Sequence, residues 1–366
     1  MRAADAGDLK ELAAWSEQWC VSAFVPAHES DGRQDGDLLR LKNMFRDAHR
    51  ELVKLGMRSP AASDLLDAAI PAELTDRTST EFHKGGIGIF SAPGLLRTYR
   101  VPVDMPELVT VGTRFHLKPI IGAIARERRF FVLTLTKGGA DVYLGSLDGL
   151  EPIDIPGMPT SFDEVARFDE ASDSRRWDEL NRADHLPEEV LRYVRAVEEA
   201  VTGTVAGSPL IIGGTDALIS AYTAMTGYRA VVSPALSGNP GSMSPTELHA
   251  VALERLDGYE SRELGHDADR FGELNGTGRA SGQLAAVLRA AQLGRIDRAF
   301  VAADRQAWGI RGKGKAALTL HDVRMPGDED LLDLVAVEAW QRGAAVHVVP
   351  AADIPGTGLV AGIFRY

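Results

Sequence analysis

The spacing of apolar positions predicts a chain of alternating strands and helices. Residues 19–28, WCVSAFVPAH, form an apolar run that is typical of a buried strand. Between Asp37 and Gly56, apolar residues recur at steps of three, four and seven, which predicts a helix capped by Asp37 and ended by Gly56. The buried side of this helix is predicted to contain Leu41, Met44, Phe45, Ala48, Leu52 and Leu55.

The segments after this helix predict strands joined by tight turns. A Pro-Gly turn joins GGIGIFSAP to LLRTYRVP, and the strand ELVTVG leads into the helix candidate TRFHLKPIIGAIA. A hairpin is predicted at Gly138-Gly139, because glycine tolerates the positive φ of such a turn. Further strand and helix candidates are SPLIIGGTDALISAYTAMTG, the helix 245–275, the helix SGQLAAVLRAAQLG, and the alternating elements from RIDRAFVAA to LVAGIFRY.

Domain organisation follows from chain length and from one break in the pattern. The 366 residues exceed what one hydrophobic core usually organises. Residues 150–187 carry many charges and several prolines with little periodicity, which predicts a long loop. We predict an α/β fold of mixed sheets covered by helices, in domains 1–126, 127–244 and 245–366.

Composition is that of an ordinary soluble globular protein, with 45% hydrophobic and 25% charged residues. The single cysteine, Cys20, lies in an apolar run, so a buried structural thiol in a reducing compartment is expected rather than a disulfide or a nucleophile. The N-terminal segment lacks the apolar core of a signal peptide, and no uninterrupted apolar stretch is long enough to span a membrane. We therefore expect a cytoplasmic protein without a membrane partner.

The formal net charge of −12 argues against nonspecific coating of nucleic acid, because such binding requires many neutralised phosphates. Local basic patches are still compatible with this charge. On the helix that ends at Gly56, cations recur every four residues and form one stripe, which either contacts RNA phosphates or is simply a solvated face. The stripe consists of Lys42, Arg46, Arg50 and Lys54.

A second basic patch lies in GIRGKGKA, which carries Arg311, Lys313 and Lys315. The segment has the spacing of a phosphate-binding P-loop up to Lys315, but Ala316 stands where Ser or Thr would hold magnesium. It also leads into the strand candidate ALTLHDV, whereas a P-loop opens a helix. We therefore predict a basic hairpin loop. Like the stripe, it either contacts RNA phosphates or is simply a solvated surface.

Other chemical motifs in the sequence are weak. GTGRAS resembles a dinucleotide fingerprint but has Ser281 in place of the last glycine. Gly213, Gly214 and Thr215 lie at a strand-to-helix corner, which suits either an anion site or a tight structural turn. Such a site is the basis for considering a nucleotide or small-ligand binding module.

The histidines do not cluster at metal-ligand spacing, and neither a G-x-S-x-G elbow nor an H-E-x-x-H zinc helix is present. We therefore predict no catalytic residue, metal or cofactor. His116, in RFHLKP, is predicted to lie on the polar side of a helix candidate. Its side chain would either contact a ligand or pack with a hydrogen bond. With Lys118 it joins the RNA-binding candidates.

Three segments together resemble a known family. TRFHLKPIIGAI followed by RRFFVLTLTKGGADVYLG resembles the junction between the first and second domains of the archaeal and eukaryotic class-1 peptide release factor and its relative Pelota. GTGRASGQLAAVLRAAQLGRIDRAFVA is similar to the opening of that family's third domain, and GLVAGIFRY resembles its closing strand. In their order and approximate spacing, these segments cover nearly the whole chain. The chain looks most like the bacterial branch of this family.

The resemblance implies three domains with different partners. The N-terminal domain would approach the decoding site, the central domain the peptidyl-transferase centre, and the third domain a partner GTPase. The ribosome or tRNA is thus the implied partner. The chain lacks the family's Asn-Ile-Lys-Ser codon-reading motif, so stop-codon recognition is not expected.

The Gly-Gly-Gln motif of the release factor is also absent. Its place corresponds to the loop 150–187, which is acidic and has no glycine pair, and no glutamine occurs between Gln34 and Gln283. The pair Gly282-Gln283 lies in the third domain, where Ser281 is predicted to cap a helix. Pelota also lacks the motif and acts on stalled ribosomes without cutting the peptide.

We therefore expect a non-catalytic, ribosome-associated factor of the rescue or dormancy type. One alternative is a hydrolase of peptidyl-tRNA or another ester with a non-glutamine catalytic loop. The other alternative is the nucleotide or small-ligand binding module at Gly213-Gly214.

Overall fold

The contacts within the computed structural model divide the chain into two units. Unit 1 contains Met1–Arg126 and His266–Tyr366, and unit 2 contains Glu127–Gly265. The predicted three-domain division stays a prediction, with the N-terminal and C-terminal segments packed in one unit. The described residues are 2–16, 18–26, 34–71, 85–101, 105–125, 129–136, 138–146, 149–159, 161–162, 164, 188–205, 207–311 and 318–366, with the side chains of 3, 6, 34–37, 124, 125 and 311 excepted.

The N-terminal part of unit 1 is a mixed sheet covered by helices. Its strands are β1 (Arg2–Ala3), β2 (Cys20–Pro26), β3 (Gly86–Ala92), β4 (Leu95–Val101) and β5 (Leu108–Gly112), and its helices are α1 (Ala6–Ala14), α2 (Gln34–Lys54), α3 (Ser59–Asp67) and α4 (Lys118–Ala125). The strand order is β1-β4-β3-β2-β5, with β1 parallel to β4 and the other neighbours antiparallel. Cys20 is buried, as its apolar surroundings predict.

Helix α2 packs its apolar face on this sheet, as the spacing predicts. The helix begins at Gln34, so Asp37 lies inside it instead of capping it. Several polar residues precede the apolar face, and the local sequence alone does not decide at which of them the helix begins. Gly56 has a φ of 102° and follows the last turn, as predicted. The packed face consists of the buried residues Leu41, Met44, Phe45, Ala48 and Leu52 and the partly buried Leu55.

Unit 2 contains a second mixed sheet. Its elements are β6 (Phe130–Thr136), β7 (Gly139–Gly145), β8 (Leu150–Ile153), α5 (Glu188–Val205), β9 (Leu210–Gly214), α6 (Asp216–Met225), β10 (Val231–Ser237), a 3-10 turn at Pro240–Ser242, and α7 (Pro245–Leu274), which continues into unit 1. The order is β10-β9-β6-β7-β8, with β9 parallel to both of its neighbours. The hairpin of β6 and β7 turns at Gly138-Gly139 as predicted, and Gly139 has a φ of 150°.

The C-terminal part of unit 1 holds two small sheets. Its elements are β11 (Ala280–Ser281), α8 (Leu284–Gln292), β12 (Ile296–Ala302), β13 (Trp308–Arg311), β14 (Leu318–Leu320), β15 (Glu329–Asp330), α9 (Leu331–Gln341), β16 (Ala345–Val349), a 3-10 turn at Ala351–Asp353, and β17 (Val360–Phe364). The orders are β11-β17-β12-β16 and β14-β13-β15. These sheets confirm the α/β class of mixed sheets covered by helices.

Two further predicted helix starts are wrong. The helix expected from Thr113 begins only at Lys118, because the preceding residues form a bend and an extended segment packed into unit 1. Gln283 is the N-cap of α8, while Ser281 belongs to β11 and its Oγ accepts the backbone N–H of Gln283 at 3.1 Å. Among the described residues, no helix has the length and apolar character needed to cross a bilayer.

Candidate nucleic-acid interface

A row of cations lies on the solvent side of α2. Lys42, Arg46, Arg50 and Lys54 are all exposed, on the side of the helix opposite the buried apolar face. Four residues of α-helix advance about 6 Å, so the row is about 18 Å long. This length suits several successive contacts with phosphates of an RNA strand that follows the helix. Asp47 forms an ion pair with Arg50 and offsets part of the charge. We call these four cations the α2 stripe.

Arg324 fixes the helix that carries the α2 stripe to the C-terminal part of unit 1. Its Nη2 donates to Glu51 Oε1 at 2.9 Å, and its Nη1 donates to the carbonyl oxygen of Val109 at 3.1 Å. The guanidinium also lies 4.7 Å from the centre of the Trp308 ring, within cation–π range. Burial raises the pKa of Glu51, and the charge of Arg324 opposes that rise. The position of α2 therefore depends on contacts with residues more than 200 positions away.

The described residues on either side of the second basic patch form two neighbouring strands. Arg311 ends β13, and β14 follows in antiparallel pairing. The segment is followed by the strand β14, whereas a P-loop opens a helix. Lys313 and Lys315 lie outside the described residues, as does the side chain of Arg311. Their contact with RNA stays a prediction.

The structure places His116 and Lys118 in the interior of unit 1, which corrects their inclusion among surface RNA contacts. His116 is 4% exposed and Lys118 is 1% exposed. Lys118 Nζ donates to Asp330 Oδ2 at 3.0 Å and to the carbonyl oxygen of Arg305 at 2.6 Å. The backbone N–H of His116 donates to Ser22 Oγ at 2.9 Å. Both residues therefore pack and bond inside the unit, where phosphates do not reach them.

Asp333 caps α4 from the start of α9. Its Oδ1 accepts the backbone N–H groups of Leu117 at 2.6 Å and Lys118 at 2.5 Å. The first N–H groups of a helix have no partner within the helix, and a carboxylate satisfies them well. Asp330 has the same role for α9, because its Oδ1 accepts the backbone N–H of Leu332 at 3.0 Å. Asp330 and Asp333, three positions apart, thus cap the N-termini of both helices.

Burial dominates the electrostatics of this cluster. It lowers the pKa of His116, although the carboxylates of Asp333 and Asp330 lie 3.8 Å and 4.0 Å from its Nδ1 and oppose that change. It raises the pKa of Asp333, and the hydrogen bonds that Asp333 accepts from the backbone N–H groups of Leu117 and Lys118 oppose this rise. His116 is therefore neutral near pH 7. We call His116, Lys118, Asp330 and Asp333 the buried charge cluster.

A small cavity of about 40 Å³ adjoins the buried charge cluster, between Thr110, Trp308 and Asp328. His116 Nε2 has no hydrogen-bond partner among the described residues, and the space is large enough for a water that would supply one. Among the described residues, no three His, Cys, Asp or Glu side chains are placed to bind a metal ion. The residues of the cluster therefore cap and join helices within unit 1.

Packing explains the glycines at the predicted anion site. A Cβ on Gly213 would lie 2.9 Å from Pro240 Cγ, and one on Gly214 would lie 2.8 Å from the carbonyl oxygen of Leu135. Thr215 is the N-cap of α6 and makes no side-chain capping bond. Asp216 follows in the first turn of that helix and already places a negative charge there. Close packing therefore explains why glycine occupies both positions of this turn. Anion binding at these residues stays a prediction.

The loop 150–187, on which the hydrolase alternative depends, is described only in part. Leu150–Ile153 form β8, and Gly157 has a φ of 82°, which suits a turn. Most of the remaining residues of the loop, including 165–187, lie outside the described residues. The alternative of a catalytic loop therefore stays a prediction.

Several residues that organise this interface have no recognisable signal in the sequence. Arg324 follows a short strand without a motif, and Glu51 reads as one more charge on a helix. Asp330 is different, because it stands directly before the apolar run of α9, where an N-cap is recognisable. Its pairing with Lys118 has no local signal.

Part of the chain matches a known protein family. Residues 129–295 match the model of a family described as Bacterial archaeo-eukaryotic release factor family 3, which confirms the resemblance to this family. No curated protein matches the chain.

Solved structures resemble the chain weakly. A model of ribosome-bound archaeal Pelota and ABCE1 is 12% identical, covers 100% of this chain and 95% of its own, and has a TM-score of 0.42. Dom34 of S. cerevisiae, a translation termination-like factor that interacts with Hbs1, is 13% identical over 74% of each chain, with a TM-score of 0.41. The archaeal translation termination factor aRF1 is 15% identical over 99% of this chain and 97% of its own, with a TM-score of 0.25.

Proposed function

We propose that this chain, whose residues 129–295 match the bacterial release-factor-like family, is a translation factor that binds the ribosome without hydrolysing peptidyl-tRNA. It would act in ribosome rescue or dormancy, in the cytoplasm. The ribosome or tRNA would be its main partner, and a translational GTPase would bind the C-terminal part. The match to the family supports the translational setting.

The α2 stripe is the observation that carries the RNA contact. Four exposed cations in one row are a surface that a nucleic-acid backbone can follow, although the whole chain has a net charge of −12. Binding through so few contacts depends on correct placement, which Arg324 provides by fixing α2. The surrounding negative charge would weaken binding to unspecific RNA and favour a partner that matches the surface.

The absence of the Gly-Gly-Gln motif supports the non-catalytic part of the proposal. No glutamine lies between Gln34 and Gln283, so the central part of the chain has no side chain of the type that release factors use. The acidic residues of the loop 150–187 would also be repelled by phosphates near the peptidyl-transferase centre. They include Asp163, Glu164, Asp169, Glu170 and Asp173.

Cosedimentation with purified ribosomes tests the proposal. The stripe variant replaces all four cations by glutamine, and we expect binding at least about tenfold weaker, equivalent to about 1.4 kcal/mol. The control variant makes the same change at Lys10, Arg195, Arg229 and Arg289, which are exposed elsewhere. Because both variants change the net charge equally, only the stripe variant should lose binding.

Three results would contradict the proposal. If the unaltered chain does not sediment with ribosomes at moderate salt, the ribosome is not its partner. If it releases labelled peptide from peptidyl-tRNA, and changes within 157–178 abolish that release, the chain is a hydrolase. Equal losses in the stripe and control variants would show that net charge, and not the α2 stripe, governs the binding.

A further inference from the structure

All strands of the sheet β11-β17-β12-β16 meet an arginine at the same end of that sheet. Strands β11 and β12 begin at this end and β17 finishes there, because β17 is antiparallel to both of its neighbours. Strand β16 also begins there, since it is parallel to β12. Arg279, Arg365 and Arg295 lie directly beside the strand ends, and Arg342 lies between α9 and β16. We call these four residues the arginine row.

Hydrogen bonds join the members of the arginine row. The backbone N–H of Arg365 donates to the carbonyl oxygen of Arg295 at 2.8 Å, and its Nη2 donates to the carbonyl oxygen of Arg342 at 3.1 Å. On the other side of β17, the backbone N–H of Phe364 donates to the carbonyl oxygen of Arg279 at 2.8 Å. Neighbouring strands lie about 4.8 Å apart, so the row is about 14 Å long.

The arginine row has more positive than negative charge. Three of its members are exposed, and Arg295 is partly exposed. Glu338 pairs with the last arginine of the row, but the same carboxylate also pairs with Arg114 at 3.2 Å. Asp297, two positions after Arg295, pairs with Arg270 at 2.8 Å. Both carboxylates are thus shared with cations outside the row, which leaves a basic surface on a chain of net charge −12.

An exposed aromatic ring lies beside the arginine row. Tyr366 is 72% exposed, and the guanidinium of Arg295 lies 5.3 Å from the centre of its ring, within cation–π range. Arg295 Nη2 also donates to a main-chain oxygen of Tyr366 at 2.7 Å, which holds this residue at the row. Unpaired bases stack on aromatic rings and on the planes of arginine guanidinium groups.

We propose that the arginine row and Tyr366 bind an unpaired segment of RNA, as a second contact in addition to the α2 stripe. A guanidinium offers two parallel N–H donors to a phosphate, and several of them in line suit the successive phosphates of one strand. A base next to those phosphates stacks on Tyr366. An acidic peptide would also meet the cations, but the stack of Arg295 and Tyr366 is the kind of surface on which bases pack.

Binding of a short RNA tests the proposal without the ribosome. The probe is a fluorescein-labelled single-stranded RNA of roughly twelve nucleotides, within the usual site sizes of surfaces that bind single strands. The protein is the full-length stripe variant, so that the α2 stripe does not contribute. We expect anisotropy to report binding, and the added changes Arg279→Gln and Arg365→Gln to weaken it at least about tenfold. The control adds Arg195→Gln and Arg229→Gln instead, at two exposed arginines of unit 2, and should bind like the stripe variant.

Variants of Tyr366 test the stacking. Tyr366→Ala, made in the stripe variant, should weaken binding at least about fivefold, the smallest loss typical when a stacking ring is removed. Tyr366→Phe keeps the ring and should bind like the stripe variant. Because most of Tyr366 is exposed, neither change should disturb the fold. Equal binding of the alanine and phenylalanine variants would refute the stacking.

Three results would overturn the assignment of RNA to the arginine row. The first is no binding of the RNA by the stripe variant, and the second is an equal loss in the row and control variants. The third is displacement of the RNA by polyglutamate of equal charge at the same concentration as by unlabelled RNA, which would show that the surface selects negative charge alone. Because the assay contains neither the ribosome nor the α2 stripe, its outcome is independent of the cosedimentation test of the proposed function.

Discussion

The Nζ of Lys118 lies 3.0 Å from Oδ2 of Asp330, and both side chains are almost completely buried. The pair joins the start of α4 to the start of α9, which lie more than 200 residues apart in the sequence. A buried ion pair is costly to leave half-made, since the remaining charge has lost its water and has no partner. The pair therefore fixes how the start of α4 packs against the start of α9.

Breaking this pair should destabilise unit 1 strongly. Lys118→Met leaves the carboxylate of Asp330 buried without its cation, and we expect a loss of about 3 to 5 kcal/mol in the free energy of unfolding. Urea denaturation followed by tryptophan fluorescence measures the loss. Arg97→Met is the control, because Arg97 pairs with Glu11 at 2.8 Å on the surface and should contribute at most about 1 kcal/mol. Similar losses in both variants would refute the role of the buried pair.

The stability of unit 1 should fall as the pH drops below the ordinary pKa of histidine. Burial lowers the pKa of His116 in the folded state, so below about pH 6.5 the unfolded chain binds a proton that the folded chain does not. The loss reaches at most about 1.4 kcal/mol for each pH unit, until the lowered pKa of the folded state is reached. Above pH 6.5 His116 is neutral in both states and contributes no pH dependence.

His116→Gln should remove this contribution. Asp333 has the opposite sign, because its raised pKa lets the folded chain keep a proton that the unfolded chain releases, and stability then falls as the pH rises above about 3.8. Comparing unfolding free energies of the variant and the unaltered chain between about pH 5 and 7 isolates the histidine. A difference that does not change over this range would contradict the prediction.

Alanine at Gly214 should destabilise unit 2 even if no ligand binds there. The new Cβ would lie 2.8 Å from the carbonyl oxygen of Leu135, and backbone cannot move aside as easily as a side-chain tip. We expect a loss of about 1 to 3 kcal/mol, typical of overpacking. Gly227→Ala is the control, because a Cβ added there would meet no neighbouring atom within 4 Å. A variant as stable as this control would remove the packing explanation and favour the anion site.

Removing part of the α2 stripe should change the salt dependence of ribosome binding. The double variant Arg46→Gln and Arg50→Gln removes two exposed cations from one face of α2. For each lost contact with single-stranded RNA, the slope of the logarithm of affinity against that of salt concentration should become shallower by roughly 0.7. Binding titrations between 50 and 200 mM salt, roughly the range in which such effects are large, measure the slope. An unchanged slope would show that these two arginines do not contact phosphates.

Local elements of this protein could be predicted from the sequence without further information. The apolar spacing from Leu41 to Leu52 correctly predicted the buried face of α2, and its polar spacing correctly predicted the exposed α2 stripe. Glycines at the β6-β7 turn and after α2 were also recognised correctly, because positive φ is a local requirement. These features depend on residues a few positions apart, which is the range that periodicity reports.

Contacts between distant segments, and the burial that they cause, could be seen only in the folded chain. His116 and Lys118 were grouped with the RNA-binding candidates, yet both are buried beside Asp330 and Asp333, which lie more than 200 positions away in the sequence. Arg324 and Glu51 showed no local sign of their bond. The helix α4 begins later than predicted for the same reason, because Asp333 on another helix accepts the backbone N–H groups of Leu117 and Lys118. Such pairings depend on how separate segments pack, and a pattern along one segment carries no record of its distant partner.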